Sequence, residues 1–181
     1  LPIYKIPFRG GLAALTVAGT VSGWGKAFEL SRRSLGGRMS LSRLLADAVH
    51  FAEQGIPVTA SQHHSTAQKL NELKDRPGFS ETFLRNGAAP EIGSLFTQSR
   101  LAKTLKRIGQ EGSQTFYRGR LSKLLAKELA SVGSPLTLAD LQRHDACLVD
   151  PLHIAIRPVH RDVRMQADLF NMRSEEHTSE L

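Results

Sequence analysis

The sequence predicts an α+β, helix-rich domain with strands only near its C-terminus. Two patterns carry this. Through most of the chain, apolar residues recur at intervals of three and four, as on a helix with one buried face, and Gly, Pro and hydroxyl residues punctuate the stretches. From Cys147 onward β-branched residues alternate with polar ones, the period of a strand. The chain has 181 residues, 40% of them hydrophobic, enough for one domain with a real core.

The opening "GGLAALTVAGTVSGWGKAFELSRR" is rich in small residues and becomes helical near Ser22, and "GGR" at 36–38 breaks that helix. Ser40 then caps a helix, its hydroxyl placed to take an unpaired amide of the first turn. Leu41, Leu44, Leu45, Ala48 and Ala52 share one face of it, while Arg43, Asp47, His50 and Glu53 point away. Gly55 supplies a left-handed stop and Pro57 prevents resumption. Thr59 caps "ASQHHSTAQKLNELKD", which ends before Pro77. "FSETFLRNGAAPEIGSLFTQ" reads as a short helix, an Asn-Gly turn and a loop or short strand. Ser99 is expected to cap a helix with Leu101, Leu105 and Ile108 on one face, ended by Gly112. "SQTFYRGRLSKLLAKELASVG" reads as one further amphipathic helix with Leu121, Leu124, Leu125, Leu129 and Val132, stopped by Gly133. Thr137 caps the short "LADLQRH". "CLVDPLHIAIRPVHRDVRM" closes the pattern as strands, which expect sheet partners outside the chain because two strands alone are marginal.

A single cysteine, Cys147, excludes an intrachain disulfide. No apolar run approaches the roughly 18 residues of a membrane helix, so no membrane partner is expected. Net charge is +7, which makes nucleic acid a partner to weigh, but aromatic residues are only 6% and base stacking needs them. Arg100, Lys103, Lys106, Arg107, Arg118, Arg120, Lys123 and Lys127 cluster in one region. Lys103, Lys106 and Arg107 oppose the leucine face of their helix, as Lys123 and Lys127 do theirs. A solvated face and a phosphate-binding surface would both put them there.

No active site is legible from residue types and spacing. His63 and His64 are adjacent, so on a helix they point about 100° apart and rarely share a metal. His144 and Cys147 have ligand chemistry but no second pair. As a nucleophile Cys147 would need a base and an electropositive pocket, and at the head of a strand it reads more simply as a buried small residue. Glu128 sits within an apolar stripe, at its edge or paired. Gly10-Gly11 and Gly36-Gly37 are too short to cradle a phosphate, and no Rossmann, P-loop or nucleophile-elbow motif occurs. No catalytic, cofactor-binding or metal residue is assigned, and no cofactor is expected.

Several phrases, in order, carry a resemblance. "VAGTVSGW" at 17–24 resembles a valine-proline-glycine-x-valine-x-glycine-tryptophan segment, with Ala18 in place of the proline. "SLSRLLADAVHFAEQGIPVT" at 40–59 is similar to a leucine-rich helix ending in glycine, an apolar residue, proline and valine. "FYRG" at 116–119, "PLTLADL" at 135–141 and "DPL" at 150–152 follow at the expected spacing. Together they resemble the large-subunit portion of the gamma-glutamyltransferase family over roughly Gly11 to Ile156.

The resemblance implies a fragment of an N-terminal-nucleophile (Ntn) hydrolase, whose fold is a four-layer αββα sandwich. It implies a proenzyme that cleaves itself, freeing a threonine whose hydroxyl attacks an amide and whose amine is the base. Gamma-glutamyl transfer or hydrolysis on glutathione-type substrates follows, with a small-molecule amide substrate and the small subunit of the same proenzyme as partners. That threonine would lie beyond Leu181 and the substrate-gripping arginine before Leu1, so the fragment is expected to be inactive alone. "GWGKAFELSRRSLGGR", "GSPL" and "HDA" resemble the oxamate amidohydrolase-like branch more than the glutathione-cleaving periplasmic enzymes, which favours a cytoplasmic protein. The alternative classes are a basic helical module that binds nucleic acid and a plain helical scaffold.

The resemblance stops after Val163, where a proline-rich stretch is expected and "RMQADLFNM" stands instead. The last nine residues, "RSEEHTSEL", match the in-frame translation of a sequencing-library adapter. The expected organisation is therefore a partial large-subunit segment over 1–172 and a non-native tail over 173–181. The start "LPIYKIPFRGG", without Met or signal pattern, reads likewise as a fragment.

Overall fold

The computed structural model describes residues 5–150, and every element below lies in the unit Leu1–Leu148. Eight α-helices and two short strands are present among the described residues: α1 Thr20–Ser34, α2 Leu41–Gln54, β1 Ile56–Pro57, α3 Ala60–Leu73, α4 Phe79–Phe83, β2 Leu95–Phe96, α5 Ser99–Glu111, α6 Gln114–Arg118, α7 Arg120–Ser131 and α8 Leu138–Arg143.

The predicted caps hold at three helices. The Ser40 hydroxyl accepts the Arg43 N–H at 3.2 Å and the Thr59 hydroxyl accepts that of Gln62 at 3.1 Å. Thr137 and Asp140 form a reciprocal box, each accepting the other's backbone N–H on its side-chain oxygen, at 3.3 and 2.9 Å. At α5 the expectation fails: Ser99 is already helical, and the side chain of the preceding Gln98 makes no cap. The Gln98 N–H instead reaches back to the Ala52 carbonyl at 2.7 Å, which fixes where α5 starts against α2.

The helix expected over 114–131 is two helices. Gly119 is extended, at φ −100° and ψ −155°, and separates α6 from α7. A Cβ there would stand 2.8 Å from the Thr115 Cα, so the backbone passes too close for any other residue.

Strands are not confined to the C-terminal part. Gly55, at φ 91°, turns the backbone out of α2, and Pro57 cannot rejoin a helix. The segment therefore runs extended and pairs antiparallel with β2, Ile56 opposite Phe96 and Pro57 opposite Leu95. Val58, Leu84 and Phe96 are buried beside this pairing, and the Phe83 ring stacks on Phe96 with centroids 6.4 Å apart. Cys147 to Asp150 adopt no regular structure, and the rest of the predicted strand stretch lies outside the described residues.

The main core gathers Val21, Ile108, Tyr117 and Leu121, with Val17, Leu41, Leu45 and Phe116 packed around them. Helices α2 and α5 lie against each other, burying Val49 and Ala52 on one and Ala102, Leu105 and Ile108 on the other. The apolar stripes are wider than the contacts they make. Leu44, Phe51, Leu101 and Leu124 remain 52, 54, 44 and 47% exposed.

Candidate functional site

Three sequence-distant segments meet at the first turn of α1. Gly19 precedes that turn and has no side chain to cap it. The cap comes instead from α6. Tyr117, fully buried, accepts the Ser22 N–H on its phenolic oxygen at 2.9 Å and donates to the Ala18 carbonyl at 2.6 Å. Ser22 passes the connection on. Its hydroxyl donates to Asp145 Oδ1 at 3.3 Å and accepts the Ala146 N–H at 2.7 Å. Lys26, one turn further along α1, lies 3.6 Å from Asp145 Oδ2. The His144 ring sits 5.1 Å from that of Tyr117, its Nε2 buried without a partner among the described residues. A Cβ at Gly19 would come within 3.3 Å of that nitrogen. Burial pushes the Tyr117 phenol above its ordinary pKa, partly opposed by the bond from the Ser22 amide.

This cluster holds Ser, Asp, Lys, His and Tyr close together, yet it lacks the arrangement of a nucleophile. Ser22 is 4% exposed and its oxygen is spent on a carboxylate and a backbone amide. A catalytic serine needs a base to take its proton and an open face toward substrate. What the arrangement does is tie α1, α6 and the segment after α8 into one unit. The phrases "VAGTVSGW" and "FYRG" and the residues just past "PLTLADL" supply its members.

Helices α1 and α2 and the segment between them line a groove of about 600 Å³ that includes Trp24, Phe28, Arg32, Met39, Leu41 and Leu44.

The residues weighed from sequence are placed apart. His63 Nδ1 is 2.9 Å from the Pro90 carbonyl, a local tie between α3 and the loop before β2. No group of three His, Cys, Asp or Glu among the described residues is placed to hold a metal. Cys147 is exposed, not buried as expected, because the backbone there is not in a sheet. Glu128 is exposed at the edge of its stripe. The basic face of α5 is largely neutralised by carboxylates: Arg100 with Glu81 at 3.3 Å, Lys106 with Glu53 at 2.5 Å and Arg107 with Glu111 at 3.5 Å. Sequence reasoning missed the Tyr117–Ser22–Asp145 cluster. Its members are 95 and 123 residues apart, and only the quoted phrases marked their neighbourhoods.

Residues 3–172 match the family described as Gamma-glutamyltranspeptidase. The protein is 55% identical over 147 residues to the oxamate amidohydrolase proenzyme of Klebsiella pneumoniae, covering 81% of this sequence and 28% of that one. It is 34% identical over 146 residues to the glutathione hydrolase-like YwrD proenzyme of Bacillus subtilis, covering 78% and 27%. Among solved structures it resembles the gamma-glutamyltranspeptidase of Helicobacter pylori, with TM-score 0.70, 28% identity and coverage of 79% and 40%. It likewise resembles the cephalosporin acylase of Bacillus halodurans, with TM-score 0.70, 28% identity and coverage of 87% and 28%. The chain belongs to the gamma-glutamyltranspeptidase family. It spans less than a third of the length of the two proenzymes named above, at 28% and 27%.

Proposed function

We propose that this chain is a structural segment of the large-subunit portion of an Ntn amide hydrolase proenzyme, of the oxamate amidohydrolase-like branch. The observation that carries the branch is the identity gap: 55% to the oxamate amidohydrolase proenzyme, against 34% to the YwrD proenzyme and 28% to the glutathione hydrolase proenzyme of Bacillus subtilis. In this reading the helices form an outer layer of an αββα sandwich. The half-exposed apolar residues of α2, α5 and α7 are then surfaces that the rest of the proenzyme covers.

The parent enzyme breaks a small amide next to a carboxylate, a bond of the kind oxamate carries. A threonine freed by self-cleavage supplies the nucleophile and its own amine the base, so both stand at a fixed distance. Backbone donors hold the oxyanion, and water resolves the acyl-enzyme. The small subunit of the same proenzyme is the partner. None of the described residues takes a chemical role; Tyr117, Ser22 and Asp145 hold the layer in shape. Nucleic acid is not a partner in this reading, in keeping with the ion pairs along α5.

The test uses the gene as it stands in its source DNA, amplified past the codon for Met172 and expressed whole. The expected product cleaves itself and releases ammonia from oxamate faster than it releases aniline from a gamma-glutamyl anilide. The reverse ranking moves the protein to the glutathione-cleaving group. The same amplification reads the native sequence after Met172. The family match stops at residue 172, which supports "RSEEHTSEL" being adapter; finding those codons in the genome refutes it. Residues 1–172 expressed alone are expected to release no product from either substrate.

A further inference from the structure

We propose that Asn86 is a site of spontaneous modification, losing its side-chain amide through a cyclic imide formed with Gly87. The product is aspartate or isoaspartate at the tip of the hairpin that precedes β2. This inference stands on the local structure and is independent of the family reading.

The turn is sharply defined. Among the described residues Asn86 is the one non-glycine residue at positive φ, at 51°, and Gly87 follows at 78°. Arg85 and Ala88 close the turn with two backbone bonds, Arg85 N–H to Ala88 O at 2.9 Å and Ala88 N–H to Arg85 O at 3.0 Å. Two left-handed residues between a bonded pair make the type I′ geometry for which Asn-Gly is favoured.

In the first step the backbone nitrogen of Gly87 attacks the Asn86 Cγ. Its proton passes through water to the amide nitrogen Nδ2, the bond from Cγ to Nδ2 breaks and ammonia leaves, closing a five-membered imide. One water then opens the imide at either carbonyl, giving aspartate or isoaspartate. No electron changes hands, and water is the only co-reactant.

Three features favour the step here. Asn86 is exposed. Among the described residues, the Gly87 N–H and the Asn86 side chain enter no hydrogen bond that would hold them back. A Cβ built at Gly87 would meet nothing within 4 Å, so neither a side chain nor a neighbour blocks ring closure. Asn71 provides the internal contrast. It lies inside α3, where the following amide, that of Glu72, is fixed in the helix, and Glu72 itself binds Arg9 and Lys69.

The change reaches beyond the turn. A carboxylate appears one residue from Arg85, whose guanidinium donates to the Leu84 carbonyl at 3.0 Å and to the Thr97 carbonyl at 3.3 Å and lies 5.1 Å over the Phe96 ring. Isoaspartate also adds a methylene to the backbone, which a two-residue turn has no room for. The hairpin therefore records the age of the molecule in charge and backbone, beside β2.

The experiment holds the full chain natively folded for weeks at physiological temperature and mildly alkaline pH, with a parallel sample in urea. Proteolytic peptides are then mapped by mass spectrometry, and isoaspartate is assayed enzymatically. The expected result in the native sample is a gain of one dalton at Asn86, isoaspartate in excess over aspartate. It should accumulate at least an order of magnitude faster than at Asn71 and be missing from the Asn86→Gln variant. A native sample unchanged at Asn86 overturns the proposal, whatever the urea sample does, since the turn would then shield the amide. Equal conversion at Asn71 and Asn86 overturns it as well, because the local geometry would then confer nothing.

Discussion

Replacing Tyr117 by Phe removes one oxygen from a fully buried residue and leaves its volume almost unchanged. That oxygen makes two bonds, to the Ser22 N–H at 2.9 Å and to the Ala18 carbonyl at 2.6 Å. One partner is in the first turn of α1 and the other just precedes it, where Gly19 has no side chain to make a cap. Each bond contributes about 0.5–1.5 kcal/mol net, and a buried polar group left unpaired costs about 1–3 kcal/mol. Ser22 is 4% exposed, so water reaches its amide only if the first turn frays. Fraying limits the loss but gives up helix, so the expected cost is about 2–4 kcal/mol. Against a total of about 5–15 kcal/mol for a typical domain, that is a large fraction. The single tryptophan, Trp24, lies on α1 itself and reports urea unfolding of this region directly. Tyr117→Phe should lower the midpoint with the slope unchanged. A midpoint shift equivalent to less than about 0.5 kcal/mol would mean that the phenol spans nothing energetically, and the structural role given to the cluster would fall.

Three further outcomes follow from the same geometry. The protein has two tyrosines, and the Tyr117 phenol is held above its ordinary pKa by burial. A native titration followed by tyrosinate absorbance should show Tyr117 ionising above the usual value of about 10; because the unfolded state ionises first, stability is flat below that pH and falls as pH rises past it. The Asp140 carboxyl is lowered to about 2, first by the Thr137 hydroxyl, then by the Thr137 amide and the Arg143 guanidinium. Its contribution is present above the unfolded carboxylate value of about 3.9 and is lost as pH falls through about 2, an acid limb that Asp140→Asn should flatten in pH-dependent circular dichroism. At the crossing of α2 and α5, a Cβ on Gly109 would lie 3.0 Å from the Ser42 Cα, so Gly109→Leu forces the helices apart. The expected cost is about 1–3 kcal/mol, read as a lowered thermal midpoint, and an unchanged midpoint would mean that the seam is loosely packed.

The sequence signals that proved reliable were those with a local cause. Ser40, Thr59 and Thr137 cap because a hydroxyl needs only an amide three residues on. Gly55 and Gly112 end helices at positive φ for an equally local reason. The failures were tertiary. Nothing local foretells that Gln98 will give its amide to Ala52, 46 residues back along the chain. Strand β1 was missed because two residues carry no periodicity, and its pairing comes from β2, nearly forty positions away. Leu44 and Leu101 were correctly placed on apolar stripes, but a stripe shows only that a face is apolar, and the parts that α2 and α5 bury are narrower. The candidate site lay further out of reach, since Tyr117, Ser22 and Asp145 come from three separate stretches.

Two of the phrases that made the family recognisable, "VAGTVSGW" and "FYRG", meet at Tyr117. That explains how the segment is recognisable from residues whose bonds, those of Tyr117, Ser22 and Asp145, hold the fold together. A buried tyrosine bonded to two backbone groups fixes its neighbours closely, because any shift leaves a polar atom unpaired. A Cβ at Gly19 would press on the His144 ring at 3.3 Å, so a larger residue there must move that ring. Such constraints act on the fold, whatever bond the finished enzyme breaks. The family therefore follows from this segment directly, whereas the choice between oxamate-like and gamma-glutamyl amides depends on groups that touch the substrate. The 55% identity bears on that choice only through common descent of the whole protein, which is why the deciding assay must use the complete gene.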